Sequence, residues 1–197
     1  MILPIVGYGH PVLRKKASEI DKKYPDLDKL IKNMWDTMYG AHGVGLAAPQ
    51  VGIPIRLFVV DASPFCRDND LILSERKALK NFKHVFINPT IVARSGVLED
   101  FNEGCLSIPE IREDVSRKDE ISIEFLDENF KPQQMELYGI ASRIVQHEYD
   151  HIEGILFTDK LSALKKKLLK SKLTQIAKGK VQADYPMTFA DKKILNI

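Results

Sequence analysis

Apolar residues recur at helical spacing in "DLDKLIKNMWDTMY" (26–39), where Leu27, Leu30, Ile31, Met34 and Met38 mark one face and Gly40 and Gly43 end the run. The spacing predicts an amphipathic helix packed on a core, with its Met and Trp content as filler. "GVGLAAPQVG" (43–52) follows, a small-residue segment with too little bulk for a regular core strand. "RLFVVD" (56–61) and "HVFINPTIVAR" (84–94) read as strands, the second broken at Asn88-Pro89. The polar segment between them, 62–83, holds Cys66 and a helix-like "SERKALKNF", and reads as a surface excursion.

Further along, Ile121, Ile123 and Phe125 alternate with Ser122 and Glu124, so "ISIEFLDENFKPQQMELYG" (121–139) predicts a hairpin turning at Asp127 to Phe130. Residues 140–151 then read as a helix that ends near Gly154. A last amphipathic helix, "SALKKKLLKSKLTQIAKG" (162–179), takes Ser162 as its N-cap and Gly179 as its C-terminal stop. Leu161, Leu164, Leu168 and Leu173 mark its apolar side. Strands followed by helices, without regular βαβ alternation, predict an α+β fold. Its expected form is antiparallel or mixed sheets around a central helix at 140–151, with helices at both ends of the chain. Without repeats or low-complexity linkers, 1–197 reads as one domain.

Composition changes this picture little. The chain has 197 residues, 44% of them hydrophobic and 28% charged, as in an ordinary globular enzyme. No apolar run approaches the roughly 18 residues of a membrane span. The start, "MILPIVGYGHPVLRKK", lacks the charged n-region and long h-region of a signal peptide and the Arg/Ser-rich look of a transit peptide. A cytoplasmic protein of bacterial type is the expectation. Two widely spaced cysteines, Cys66 and Cys105, make no disulfide framework, and each thiol needs its own account. The net charge of +2 is polarised, because residues 160–180 hold eight lysines and no acid.

Candidate chemistry begins at "IVQHEYDHIEG" (144–154), which contains an HExxH pattern. On a helix, His147 and His151 project from one face and can grip one ion. Ile140 and Ile144 continue that face, so the ligand side is also the buried side. Glu148, rotated off their line, is placed to touch a water beside the ion. The plain alternative is a pair of hydrogen-bonded, inert histidines. A zinc endopeptidase would take its third ligand downstream, yet no Glu follows Glu153 and no His follows His151. Asp159, Asp184 and Asp191 lie in no motif that connects them to a metal. Upstream, "NEGCLSIPEIR" (102–112) offers Cys105 in a short loop before Pro109. One thiolate and two imidazoles form an accepted ligand set with an open fourth position. The alternative for Cys105 is a small buried apolar residue.

"GVGLAAPQ" (43–50), "EGCLS" (103–107) and "QHEYDH" (146–151) together resemble the three signature motifs of peptide deformylases, in the family order. "YGHPVLRKKA" (8–17) and the "KLSALK" start of the last helix also look like the bacterial members. The resemblance leaves out 62–83 and the final dozen or so residues. It implies a hydrolase that removes the formyl group from the N-formylmethionyl end of nascent peptides. It makes Cys105, His147 and His151 the ligands of one divalent metal ion. Glu148 becomes the general acid/base acting on a water activated by that ion, and Gln50 and the Leu106 N–H become oxyanion donors. Ferrous iron is the implied physiological ion, with zinc, nickel or cobalt possible in purified protein.

The substrate is expected to add as a short strand between the segments at Gly43, Val44, Gly45 and at Gly104. Gly43 and Gly45, lacking Cβ atoms, would let its backbone approach; simple turn geometry is the alternative. Val44, Ile140, Ile144 and the stem of Arg143 would line the methionine pocket. Arg112 is placed either on the substrate backbone or in a structural ion pair, and Glu103 as an anchor of its loop. The basic last helix is either a solvated helix or a docking surface for ribosomal RNA. No membrane or DNA partner is expected. A zinc endopeptidase and a non-catalytic ribosome-associated module are the rival readings.

Overall fold

The structure, a computed structural model, describes residues 1–190. Asp191 lies outside them. Its centre is one antiparallel sheet in the order β2 (Gly45–Ala47), β3 (Leu57–Asp61), β4 (Lys83–Cys105), β5 (Ile108–Leu126) and β6 (Pro132–Tyr138). A parallel pair, β1 (Ile5–Val6) with β7 (Met187–Thr188), stands apart from it. The α+β expectation is met, with a main sheet that is antiparallel throughout.

Alternation along β3 explains how the sheet is covered. Phe58 and Val60 face a cluster containing Ile140, Ile144 and Val145 of α3 (Gly139–Ile152). Leu57 and Val59 face Ile31, Met34 and Met38 of α1 (Leu27–Gly40). The sheet is therefore sandwiched between two helices, and β3 is apolar on both sides because both sides are buried. Phe58, Phe86 and Phe125 form a continuous ring stack beneath α3, with neighbouring centroids 4.7 and 4.3 Å apart.

Several expectations need correction. The small-residue segment is a strand after all: Gly45 to Ala47 pair with Val60 to Phe58, and Leu46 and Ala47 are fully buried. Small side chains suit it because α3 lies close over it, not because it is a loop. Second, Cys105 is not in an isolated loop. It ends β4, which pairs with β5 along most of its length and turns back through Leu106 and Ser107. The expected break at Asn88-Pro89 is a bulge inside β4, with Asn88 at φ +48° and its side chain bonded to both backbone groups of Ile20.

Third, the apolar seam of α4 (Ala163–Ala177) is rotated from the expected one. Leu173 and Ile176 are buried, whereas Leu164 and Leu168 are 68% and 71% exposed. Ser162 does cap this helix, accepting from the Lys165 N–H, and Gly179 follows it at φ +69°. Among the described residues, no helix is long and apolar enough to cross a membrane.

Residues 62–83 do more than cross the surface. They fold into a 3-10 turn (Ser63–Arg67) and α2 (Leu73–Leu79), and they bury Leu79 and Phe82 in the core under α3. Glu75 of α2 accepts from the Ile140 N–H at 2.9 Å, so a carboxylate sits at the N-terminal end of α3, where Tyr138 supplies no side-chain cap. Gly139 adopts φ +55° there, and a Cβ on it would lie 2.1 Å from the Glu75 carboxylate.

Candidate metal centre

α3 delivers His147 and His151 to the same side, one turn apart, with ring centroids 5.0 Å apart. β4 brings Cys105 up to them, and its Sγ lies 3.3 Å from Nε2 of His151. Donor atoms of Cys105, His147 and His151 all fall within 4.8 Å of one another, the one such His/Cys/Asp/Glu group found among the described residues. The downstream aspartates are elsewhere. Asp159 pairs with Arg14, and Asp184 sits 3.8 Å from His42.

A buried ion-pair network aims this set. Glu103, next but one to Cys105, accepts a two-pronged pair from Arg117 at 2.7 and 2.9 Å, and its Oε2 lies 3.0 Å from Nδ1 of His147. Nε2 of His147 is thereby the nitrogen left for an ion. Arg117 also reaches Asp150 of α3 at 2.6 Å, tying β5 to the helix. Burial works against the Glu103 carboxylate, but Arg117 and His147 outweigh it and hold its pKa far below the usual range. For His147, burial is outweighed by Cys105 and Glu103, which raise its pKa. Burial and the neighbouring His147 charge push His151 the other way. One sulfur and two imidazoles gathered in a buried pocket, one imidazole oriented by a carboxylate, fit a divalent ion in donor type and in outer support.

Glu148 is buried beside the set, 4% exposed, and its Oε2 has no hydrogen-bond partner among the described residues. Burial lifts its pKa to about 7, against the opposing charge of His147. Gly45 makes room for it: a Cβ at that position would lie 2.4 Å from Oε1 of Glu148. Gly43 is similarly filled from across the cleft, since a Cβ there would meet the Leu106 side chain at 2.8 Å. Both glycines thus make room for the protein's own side chains.

Gln50 has its amide orientation fixed by its neighbours. Oε1 accepts from the Ala47 N–H at 2.8 Å, so Nε2 must face Cys105 Sγ, 3.6 Å away, and Ser107 Oγ, 3.3 Å away. These groups stand along a cleft of about 610 Å³. Every residue expected at the site borders it except His151, which lies behind the wall at 1% exposure. Val44, Ile140 and Ile144 contribute apolar surface, and Leu106 and Gly104 lie on the β4 side. Arg112 also reaches the cleft, but its guanidinium is tied to the side chain and carbonyl of Asn102 rather than to an acid.

Arg143 turns its guanidinium away from solvent to an acid. Its head is buried against Glu103 and the carbonyls of Val115 and Glu99, and stacks over Phe101. Sequence reasoning did not single out Arg117, Asp150, Phe101 or Phe65. The first two are charged residues whose burial only the β5–α3 contact reveals. Phe65 joins the cleft wall from the 62–83 segment.

The polypeptide deformylase family model matches residues 2–167. The peptide deformylase of Christiangramia forsetii is 58% identical over 193 residues, and that of Flavobacterium johnsoniae 56% over 193 residues, each alignment covering 98% of both chains. Among solved structures, the peptide deformylase of Thermus thermophilus is similar with a TM-score of 0.77 at 36% identity, covering 91% of this chain and 99% of that one. The enzyme from Legionella pneumophila gives 0.75 at 36% identity over 90% and 96%.

Proposed function

The chain belongs to the polypeptide deformylase family and removes the N-terminal formyl group from nascent polypeptides; from that premise we propose which of its residues carry out the hydrolysis. Cys105, His147 and His151 hold one metal ion, and Glu148 is the general acid/base. The observation that carries this reading is the unpartnered Oε2 of buried Glu148 directly beside the only Cys/His/His group among the described residues. Bound there, the ion supplies Lewis acidity, polarising the formyl oxygen and making water nucleophilic near neutral pH.

Glu148 takes the proton from the attacking water and returns it to the departing peptide amine. Its buried setting supports both halves, because burial disfavours the lasting carboxylate and leaves a group that both takes and returns a proton. Gln50 Nε2 and the Leu106 N–H donate to the formyl oxygen as charge gathers on it, and Ala47 keeps the Gln50 amide in the donating orientation. The substrate backbone lies along the edge at Val44 and the end of β4, and its first side chain enters the apolar wall of Val44, Ile140 and Ile144. Arg143 supports that wall from behind through Glu103.

We assign ferrous iron as the physiological ion on the strength of the family resemblance, since a sulfur and two imidazoles also accept zinc, nickel or cobalt. The site of action is then the bacterial cytoplasm, where formylated chains emerge. Exposed Leu164 and Leu168 among Lys166, Lys167 and Lys170 support contact of α4 with ribosomal RNA. Co-sedimentation with ribosomes at low salt, lost in a Lys167→Glu/Lys170→Glu variant, is the expected outcome; retention in that variant would remove the contact. Mass spectrometry of a formyl-methionyl peptide after incubation tests the chemistry. Loss of the formyl group alone is expected, and internal cleavage would return the endopeptidase reading.

A further inference from the structure

The family match ends at residue 167, yet the tail beyond it comes back to the site. After α4 the chain lays Met187–Thr188 beside Ile5–Val6, joined by hydrogen bonds from the Ile5 N–H to the Pro186 carbonyl and from the Gly7 N–H to the Thr188 carbonyl, both 2.8 Å. Phe189 locks this pairing. It is buried, and a Cβ on Gly7 would lie 2.2 Å from its ring. The register so fixed sets Tyr185 over the turn between β4 and β5, and its hydroxyl donates to the Leu106 carbonyl at 2.9 Å.

That turn is only two residues long, Leu106 and Ser107, and it directly follows Cys105. Each of its carbonyls is held from a different part of the chain. Ser107 O accepts from the Tyr8 N–H at 2.8 Å, while Gln50 Nε2 reaches the Ser107 hydroxyl at 3.3 Å. Leu106 O is held by the tail. A two-residue turn has few other restraints on the orientation of its peptides, and an oxyanion donor works only when its N–H is already aimed.

We propose that Tyr185 is a positioning residue for deformylation: by anchoring the Leu106 carbonyl it fixes the peptide that follows Leu106, and with it the backbone angles of that residue on which the aim of the Leu106 N–H depends. This rests on Leu106 being an oxyanion donor. The consequence is that the segment beyond the family match belongs to the catalytic apparatus, although none of its described residues lines the cleft. Since Tyr185 restrains a group that acts as charge develops, its loss should appear in kcat rather than in KM.

The test compares parent, Tyr185→Phe and Gln50→Ala proteins, each metal-loaded, by formate release from a formyl-methionyl peptide, with metal content and thermal midpoint measured alongside. Tyr185→Phe keeps the ring packing and removes one hydrogen bond. The expected result is a kcat lower by about five- to tenfold, with KM within about twofold and with parental metal content and midpoint. Parental kcat in Tyr185→Phe, or a loss that merely follows a lower midpoint or metal content, overturns the proposal while a slowed Gln50→Ala leaves the oxyanion reading standing. Parental kcat in Gln50→Ala as well as in Tyr185→Phe overturns that reading, and the proposal with it.

Discussion

Oε2 of Glu103 lies 3.0 Å from Nδ1 of His147, while both oxygens of the same carboxylate are gripped by Arg117. Strand β4 therefore carries one proposed ligand, Cys105, and also the group that orients a second proposed ligand, His147, on α3. The Glu103→Gln variant keeps the shape but weakens the acceptor facing His147. Metal affinity, measured by competition with a chelator, is expected to fall about 10- to 100-fold. Unchanged affinity would mean that helix geometry alone orients His147.

Gly45 and Glu148 are in mutual contact, and a Cβ at 45 would stand 2.4 Å from Oε1. Gly45→Ala must move the base or β2. The expected outcome is a loss of kcat of about 100-fold or more, the scale of removing a positioned acid/base. A modest stability cost of about 1–3 kcal/mol, typical of overpacking, should accompany it in urea denaturation. Retained turnover would show that the carboxyl has another place from which to act.

Arg117 is 5% exposed and bridges Glu103 to Asp150. Replacing it with Met leaves two buried carboxylates without their common partner. Chemical denaturation should show a loss of about 3–5 kcal/mol, the cost of breaking a buried pair from one side. A loss below about 1 kcal/mol would mean that the carboxylates find other partners.

Acid stability has a further contributor at the end of β3, outside the Cys/His/His group. Asp61 is buried, which alone would raise its pKa, but the Ser63 and Tyr39 hydroxyls and the Ser63 N–H bring it below its ordinary 3.8. A lowered folded-state pKa means that this stabilisation is present above 3.8 and is lost as the pH falls through the lower folded value. Urea midpoints followed down through pH 3.8 should fall less steeply for Asp61→Asn than for the parent. Parallel curves would exclude the contribution.

Much of this was legible in the sequence because periodicity and capping are local. α1, α4 and the 121–139 hairpin follow from spacing, Ser162 and Gly179. The three motifs that meet in the cleft could be read as well, because together they resemble those of one family, whereas each alone left plainer alternatives open. What escaped was set by contacts between distant segments. β2 looked too light for a strand because its bulk is supplied by Glu148 and the α3 face above it. The exposed faces of Leu164 and Leu168 could not be told from Leu173 by spacing, since only docking decides which leucines are covered. Arg117 and Asp150 resembled surface charges until the sheet placed them under the helix. The reach of Tyr185 to Leu106 spans 79 positions, which no local pattern encodes.

The proposed hydrolysis depends on proton transfer by Glu148 at a metal centre built from Cys105, His147 and His151. It is tested most directly by formate release from a formyl-methionyl peptide by iron-loaded parent and Glu148→Ala proteins. Steady turnover by the parent is expected. The variant should lose about 100-fold or more while keeping parental metal content and fold. A variant that retains metal and releases formate at the parental rate would contradict it.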